Sequence, residues 1–284
     1  MQKTLKDKKV AVFGANGGLG VELCKNVLAL DGELIAVVRN ENRADELKAK
    51  LPPESAVQFI CCDLTDFDSV KLAVEKLKSI GVDVLLHNAG AYAIKKEMCK
   101  TGYNNVFTIN FLAPYYITKE LIPTLRKTNG RVVAVGSIAH NYSKTRERDV
   151  DFSNEKSAAK TYGNAKRYLT FSLLELSKRE QDVSFSVTHP GITFTNITAH
   201  YPPLIFALIK HPMKIIFPSP KKAAKCIVDG FFTKTPAHSW IGPRLFNVWG
   251  KPKLKPLKTA KQKEIDDIFN TAEKIYKQMK GMVK

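Results

Sequence analysis

Negative charge is scarce in this chain. Its 284 residues hold 27 Asp plus Glu against 45 Lys plus Arg, a formal net charge of +18. Cysteine is sparse and odd in number: Cys24, Cys61, Cys62, Cys99 and Cys226. No pair has zinc-ligand spacing, so neither a metal site nor a disulfide framework is indicated. Cys61 and Cys62 are adjacent and read as packing residues on opposite sides of a strand. No apolar run is long enough to span a bilayer. The N-terminal "MQKTLKDKKV" lacks the apolar core of a signal peptide, so the expectation is a cytoplasmic protein. Internal repeats, low-complexity tracts and Gly/Ser-rich linkers are all missing. The lysines are dispersed, with their densest cluster at "KPKLKPLKTAKQK" (251–263). No basic stretch interleaved with aromatics suggests a nucleic-acid platform. The excess charge reads as a solvated surface that also favours anionic ligands.

What is present is an alternation of short apolar runs and amphipathic ones. Strand-like runs are "KVAVFG" (9–14), "ELIAVV" (33–38), "VQFICCD" (57–63), "VDVLLHNAG" (82–90), "GRVVAVGS" (130–137), "VSFSVTHPG" (183–191) and "HSWIG" (238–242). Helical periodicity fills 18–30, 41–50, 66–80, 100–126, 157–180 and 221–232. This alternation predicts an α/β fold: a doubly wound parallel sheet of about seven strands flanked by helices. The strands are continuously apolar, as a sheet covered on both faces requires. The catalytic domain is expected over 1–242. A basic extension, 243–284, follows, with an amphipathic helix marked by Ile265, Ile268, Phe269, Ala272, Ile275, Tyr276 and Met279.

Two stretches point to chemistry. "FGANGGLG" (13–20) closes the first strand and opens the first helix. Gly14, Gly18 and Gly20, with Gly17 beside them, allow a tight turn and close approach of a pyrophosphate to the helix N-terminus. "TYGNAK" (161–166) sets Tyr162 four residues before Lys166, on one helix face. A cation there is expected to lower the phenol pKa from its usual ~10 toward working pH.

The spacing Gly-x-x-x-Gly-x-Gly resembles the short-chain dehydrogenase/reductase family, of the classical type. The resemblance covers about residues 8–240, and the family's motifs recur in order. Phe13 stands where the family has Thr. Asn16 and Leu19 lie within the glycine turn. "CCDLTD" puts Asp63 and Leu64 where the family contacts adenine. "HNAG" keeps Asn88, Ala89 and Gly90, with His87 at the first position and so read as structural. Asn110, Ser137, Tyr162 and Lys166 match the family's catalytic set. "HPGITFT" (189–195) matches its Pro-Gly turn, with Thr193 and Thr195 beside the nicotinamide, and His189 reads as a turn residue.

The resemblance implies hydride transfer between a nicotinamide cofactor and a carbonyl or carbinol carbon. Tyr162 would carry the proton, Lys166 would tune it and bind the nicotinamide ribose, and Ser137 would hold the substrate oxygen. Asn110 would hold a water linking Lys166 to solvent. At the end of the second strand, the position of an NAD-selecting carboxylate is Val38, followed by Arg39. NADP(H) is therefore favoured over NAD(H), although Arg39 stacked on adenine would admit either and Glu41 lies close by. A non-catalytic dinucleotide sensor is the competing reading. The intact Asn110–Ser137–Tyr162–Lys166 set argues against it.

The segment 192–220 is apolar and broken by prolines, and it lies where the family builds its substrate loop. It suits a small hydrophobic substrate such as a steroid or retinoid. A retinol-dehydrogenase-like or hydroxysteroid-dehydrogenase-like branch fits that reading. The segment is read first as a lid over that substrate, and a homo-oligomer interface or a peripheral membrane contact beside the basic tail are the alternatives. A dimer or tetramer is expected.

Overall fold

The computed structural model describes residues 3–191, 218–236 and 238–281. Among these, eight strands form one sheet: β1 (Lys9–Phe13), β2 (Glu33–Val38), β3 (Val57–Cys61), β4 (Val84–His87), β5 (Arg131–Val135), β6 (Ser184–Thr188), β7 (Ser239–Leu245) and β8 (Trp249–Pro256). Their spatial order is β3-β2-β1-β4-β5-β6-β7-β8. All neighbours pair in parallel except β7 and β8. The helices are α1 (Gly18–Ala29), α2 (Glu41–Lys48), α3 (Phe67–Ile80), the single turn α4 (Asn105–Phe107), α5 (Ala113–Arg126), α6 (Ala158–Arg179), α7 (Pro220–Gly230) and α8 (Gln262–Gly281).

The apolar strands are apolar because both faces are covered. Ala11 and Phe13 of β1 and Ile35 and Val37 of β2 share one core with α3, α5, α6 and α8. Their neighbours Val10, Val12, Leu34, Ala36 and Val38 share the other with α1, α2 and α7. Alternate side chains of one strand thus feed opposite layers. Local signals set the helix ends: Asp66 caps α3 by accepting from the Asp68 amide, Ser157 caps α6 by accepting from the Lys160 amide, and Gly81, at φ +79°, ends α3.

The sheet expected to hold about seven strands holds eight among the described residues. The additional strand, β8, lies in the stretch read as an extension. Its sequence "WGKPKLKP" has no apolar pattern because it is an edge strand, where lysine and proline belong. α8 packs on α5 and α6 rather than standing apart. Strand order reverses between β1 and β4, so the carboxyl ends of these strands open a crevice where parallel sheets bind ligands.

Candidate active site

The crevice is a cleft of about 640 Å³. Its floor at one end is the turn after β1. Gly14 adopts φ +74°, and a Cβ there would come within 2.7 Å of the Ala89 backbone. The Asn88 side chain donates to the Gly14 carbonyl at 2.9 Å, tying the end of β4 to the turn. A Cβ on Gly20 would overlap the Gly14 carbonyl, so only glycine lets α1 start this close. Gly18, by contrast, faces open space. Gly17 caps α1 without a side-chain bond, and the first turn carries no acidic residue. Gly17, Gly18, Leu19 and Gly20 line the cleft, and the first turn of α1 has no carboxylate of its own to compete for its amides, as a dinucleotide pyrophosphate needs. The residues present fit that group.

Asn16 and Leu19 line the cleft here, as do Arg39 and Leu64 beyond the ends of β2 and β3 and Asn88, Ala89 and Gly90 after β4. Arg39 makes an exposed ion pair with Asp63 at 3.6 Å, a contact easily exchanged for a stronger anion. Asp63 does not reach the wall. Its carboxylate accepts from the Thr65 amide and hydroxyl, at 2.9 and 2.7 Å. Sequence reasoning missed Arg43, Glu46 and Lys50, which line the same end. Arg43 holds Glu46 at 2.7 Å, and this bond keeps the Glu46 carboxyl below the usual range. The signal for Arg43 was its place in the first turn of α2, four residues after Arg39, which brings both arginines to the cleft lining.

At the other end, Ser137, Tyr162 and Lys166 converge. Ser137 ends the β5 run and caps the short helical turn 138–142, its hydroxyl accepting from the Ala139 amide at 3.2 Å. α6 carries Tyr162 and Lys166 on one face. The Lys166 ammonium lies 5.7 Å from the phenol ring centroid and donates to the Val135 carbonyl at 2.8 Å. Burial drives Lys166 down to about 7. For Tyr162 the direction differs from expectation: enclosure by the cleft walls raises the phenol to about 12, a Ser137 hydrogen bond works against this, and Tyr92 adds to it. Tyr92, also unforeseen, meets the Tyr162 ring edge-on at 5.4 Å. Desolvation thus outweighs the Ser137 hydrogen bond.

Asn110 sits fully buried behind the wall, in a π-helical turn, Thr108–Leu112. Its side chain accepts from the Ala91 amide and donates to the Ala91 and Val106 carbonyls. A Cβ on Gly90 would stand 3.1 Å from the Asn110 carbonyl oxygen, so Gly90 lets the two segments touch. His87 is buried against Thr118, with 2.8 Å between Nε2 and the hydroxyl. His189 lines the cleft at the Pro190–Gly191 turn and stacks on Trp240 at 5.0 Å. Thr193, Thr195 and nearly all of the segment 192–220 lie outside the described residues.

Comparison with known proteins agrees with this architecture. Residues 8–203 match the family described as short chain dehydrogenase. Human polyprenol dehydrogenase is 27% identical over 208 residues, covering 68% of this chain and 63% of that protein. The short chain dehydrogenase resG of Aspergillus sclerotiorum is 30% identical over 229 residues, covering 68% and 64%. The chain therefore spans less than two thirds of the length of these relatives. Among solved structures, an uncharacterised protein of Mycobacterium paratuberculosis shares the fold with a TM-score of 0.74 at 21% identity, covering 97% of this chain and 94% of that one. A Sphingobium yanoikuyae short-chain dehydrogenase solved with NADPH has a TM-score of 0.60 at 20% identity, covering 79% and 84%. With the family's pattern matched over more than half its length, this chain belongs to the short-chain dehydrogenases.

Proposed function

We propose that the protein is an NADP(H)-dependent oxidoreductase interconverting a secondary alcohol and a ketone on a small hydrophobic, lipid-like substrate. A hydroxysteroid is the first candidate, and a retinoid or small carbonyl compound the second. The observation that carries the reading is the grouping of Ser137, Tyr162 and a buried Lys166 at one end of a cleft whose other end is a glycine-cradled helix N-terminus.

Bound there, the cofactor would supply or accept the hydride. The chain's own groups manage the proton and the geometry. The Tyr162 hydroxyl, hydrogen-bonded to Ser137, donates its proton to the substrate oxygen in reduction and recovers it in oxidation. A phenol pushed up to about 12 is protonated at neutral pH and so enters a reduction in the form that can donate. Lys166, near 7, exchanges a proton readily at that pH and so can return one toward Tyr162. Asn110 keeps Ala91 and the cleft wall in register.

NADP(H) is preferred because Arg39 and Arg43 line the adenosine end while Val38 offers no carboxylate to a ribose hydroxyl. The lipid-like substrate is supported by the apolar composition of residues 192–220. The name of the human relative, a polyprenol dehydrogenase, points the same way.

One assay tests the whole reading. Steroid, retinoid and small ketones are offered with NADPH or NADH, and absorbance of the reduced cofactor is followed. NADPH should support faster turnover of at least one bulky ketone. Tyr162→Phe should lose all but a small remnant, since general acid–base catalysis contributes about 10²–10⁴-fold. More than about a tenth of the rate surviving in that variant would remove Tyr162 from its role. Turnover of no carbonyl, with the cofactor still bound, would favour the sensor.

A further inference from the structure

The hairpin of β7 and β8 carries a surface unlike the rest of the molecule. Among the described residues seven large hydrophobic side chains are exposed, and four of them lie on this hairpin: Leu245 (53%), Phe246 (85%), Trp249 (40%) and Leu254 (42%). Single exposed apolar residues are ordinary, but a clustered tip is not. Phe246 and Asn247 both have positive φ, 50° and 58°, so the chain reverses tightly there. Leu245 and Trp249 are ladder partners and share a face. The tip is held firmly. The Lys255 ammonium donates to the Pro243 carbonyl at 2.5 Å and the Asn247 side chain at 2.7 Å, and Val248 is buried.

Charge around the tip is of one sign. From Ser239 to Lys263 there are seven cations and no acidic residue. Arg244, Lys251, Lys253 and Lys258 are exposed. Lysines and prolines on an edge strand discourage strand pairing, which accounts for part of β8. That role does not explain an aromatic ring left in water at the turn.

We propose that this hairpin docks the protein on an anionic phospholipid surface. Leu245, Phe246 and Trp249 enter the headgroup boundary, where aromatic rings are favoured. Arg244, Lys251 and Lys253 meet the lipid phosphates. The turn of the hairpin also touches the cleft. His189 Nε2 lies 3.2 Å from the Asn247 carbonyl, and a Cβ on Gly191 would be 2.9 Å from the Val248 carbonyl. Docking therefore brings the Pro190–Gly191 end of the cleft toward the bilayer, the direction from which a lipid-like molecule arrives.

The test is sedimentation of the full chain with vesicles of phosphatidylcholine alone or mixed with phosphatidylserine. The expected result is binding to the mixed vesicles that weakens as salt is added, with a blue shift in tryptophan emission that Trp249→Phe removes, Trp240 being buried already. Phe246→Ser should weaken binding about tenfold or more. Lys251→Glu with Lys253→Glu should do at least as much. Circular dichroism and melting show that each variant is folded. Failure of the wild-type chain to bind mixed vesicles at low salt overturns the proposal. So does undiminished binding by a folded Phe246→Ser variant. The experiment contains neither cofactor nor substrate, so its outcome is separate from that of the activity assay.

Discussion

His87, His140 and His189 share one predicament. Each is buried, and each has a ring nitrogen with no hydrogen-bond partner among the described residues: Nδ1 of His87, Nε2 of His140 and Nδ1 of His189. The other nitrogen is engaged, on the Thr118 hydroxyl, the Ser137 carbonyl at 2.5 Å and the Asn247 carbonyl respectively. Protonation would create a second N–H with nowhere to donate. Burial accordingly lowers His87 and His189 to about 3 and His140 to about 4. In the unfolded chain each titrates near 6.5. Between these limits the unfolded state binds more protons, so stability falls as pH drops below about 6.5. By pH 5 the linkage is about 2 kcal/mol per histidine. The urea midpoint should fall steeply from pH 6.5 to 5, and His140→Gln should shed roughly a third of that slope. A midpoint flat across this range would show that the three rings are not held neutral. The same contrast between spacing and burial marks the site itself. The Tyr162–Lys166 interval is readable in a sequence because helical periodicity is local. The phenol pKa is not readable in this way, because desolvation depends on walls contributed by distant segments.

At the scale of elements, what was legible followed periodicity, and what was not followed tertiary context. The seven strands and five of the six helices read from apolar pattern reappear within a few residues of their expected bounds, while the run 100–126 starts only at Asn105 and is divided into α4, a π-helical turn and α5. The edge strand β8 and the π-helical turn around Asn110 have no such pattern, since one is set by pairing and the other by its contacts with Ala91. Arg167 is a third case. Next to Lys166 in sequence, it read only as part of a helix. In the fold it is buried and binds three segments: the Glu264 carboxylate at 2.7 Å, the His140 carbonyl at 2.9 Å and the Thr259 carbonyl at 2.7 Å. His140 in turn donates to the Ser137 carbonyl. A chain of hydrogen bonds thus runs from the start of α8 through Arg167 to the turn that carries the Ser137 hydroxyl. On the proposed function Arg167 acts as a positioning residue, and lysine cannot replace its fork, having no planar array of donors to satisfy three acceptors at once. Arg167→Lys should lower kcat several-fold while leaving NADPH affinity unchanged, because the glycine turn is remote from this network. Glu264→Gln, which keeps an acceptor, should retain most of the rate. If Arg167→Lys melts earlier but turns over at the wild-type kcat, the residue supports the fold and does not position Ser137.

At the scale of the whole molecule, α8 decides which surfaces remain for association. The apolar stripe of an amphipathic helix can pack on a neighbour or on its own core. Here it packs on its own core: Ile265, Ile268, Phe269, Ala272, Ile275 and Met279 are buried in the layer formed with α5 and α6. Polar contacts seal the edges. Tyr115 donates to Glu273 at 2.5 Å, Lys119 pairs with Glu273, and Tyr276 donates to Glu120 at 2.7 Å. Arg179 lies 4.2 Å from the centre of the Phe269 ring. The outer apolar face of α5 and α6 is therefore occupied by the chain itself, and any homo-oligomer must use another surface. Dislodging α8 would expose a contiguous apolar patch of the kind that drives association. Burying one such side chain contributes about 1.5–3 kcal/mol, so a charge at its centre should loosen the helix without dissolving the sheet beneath. Full-length Phe269→Asp should then show a lower melting temperature, faster proteolysis after residue 258, and a larger mass by light scattering than the wild type. Ala272→Arg, wedged into the same contact, should behave alike. If both variants melt earlier but keep the wild-type mass, α8 stabilises the domain without shielding an adhesive face.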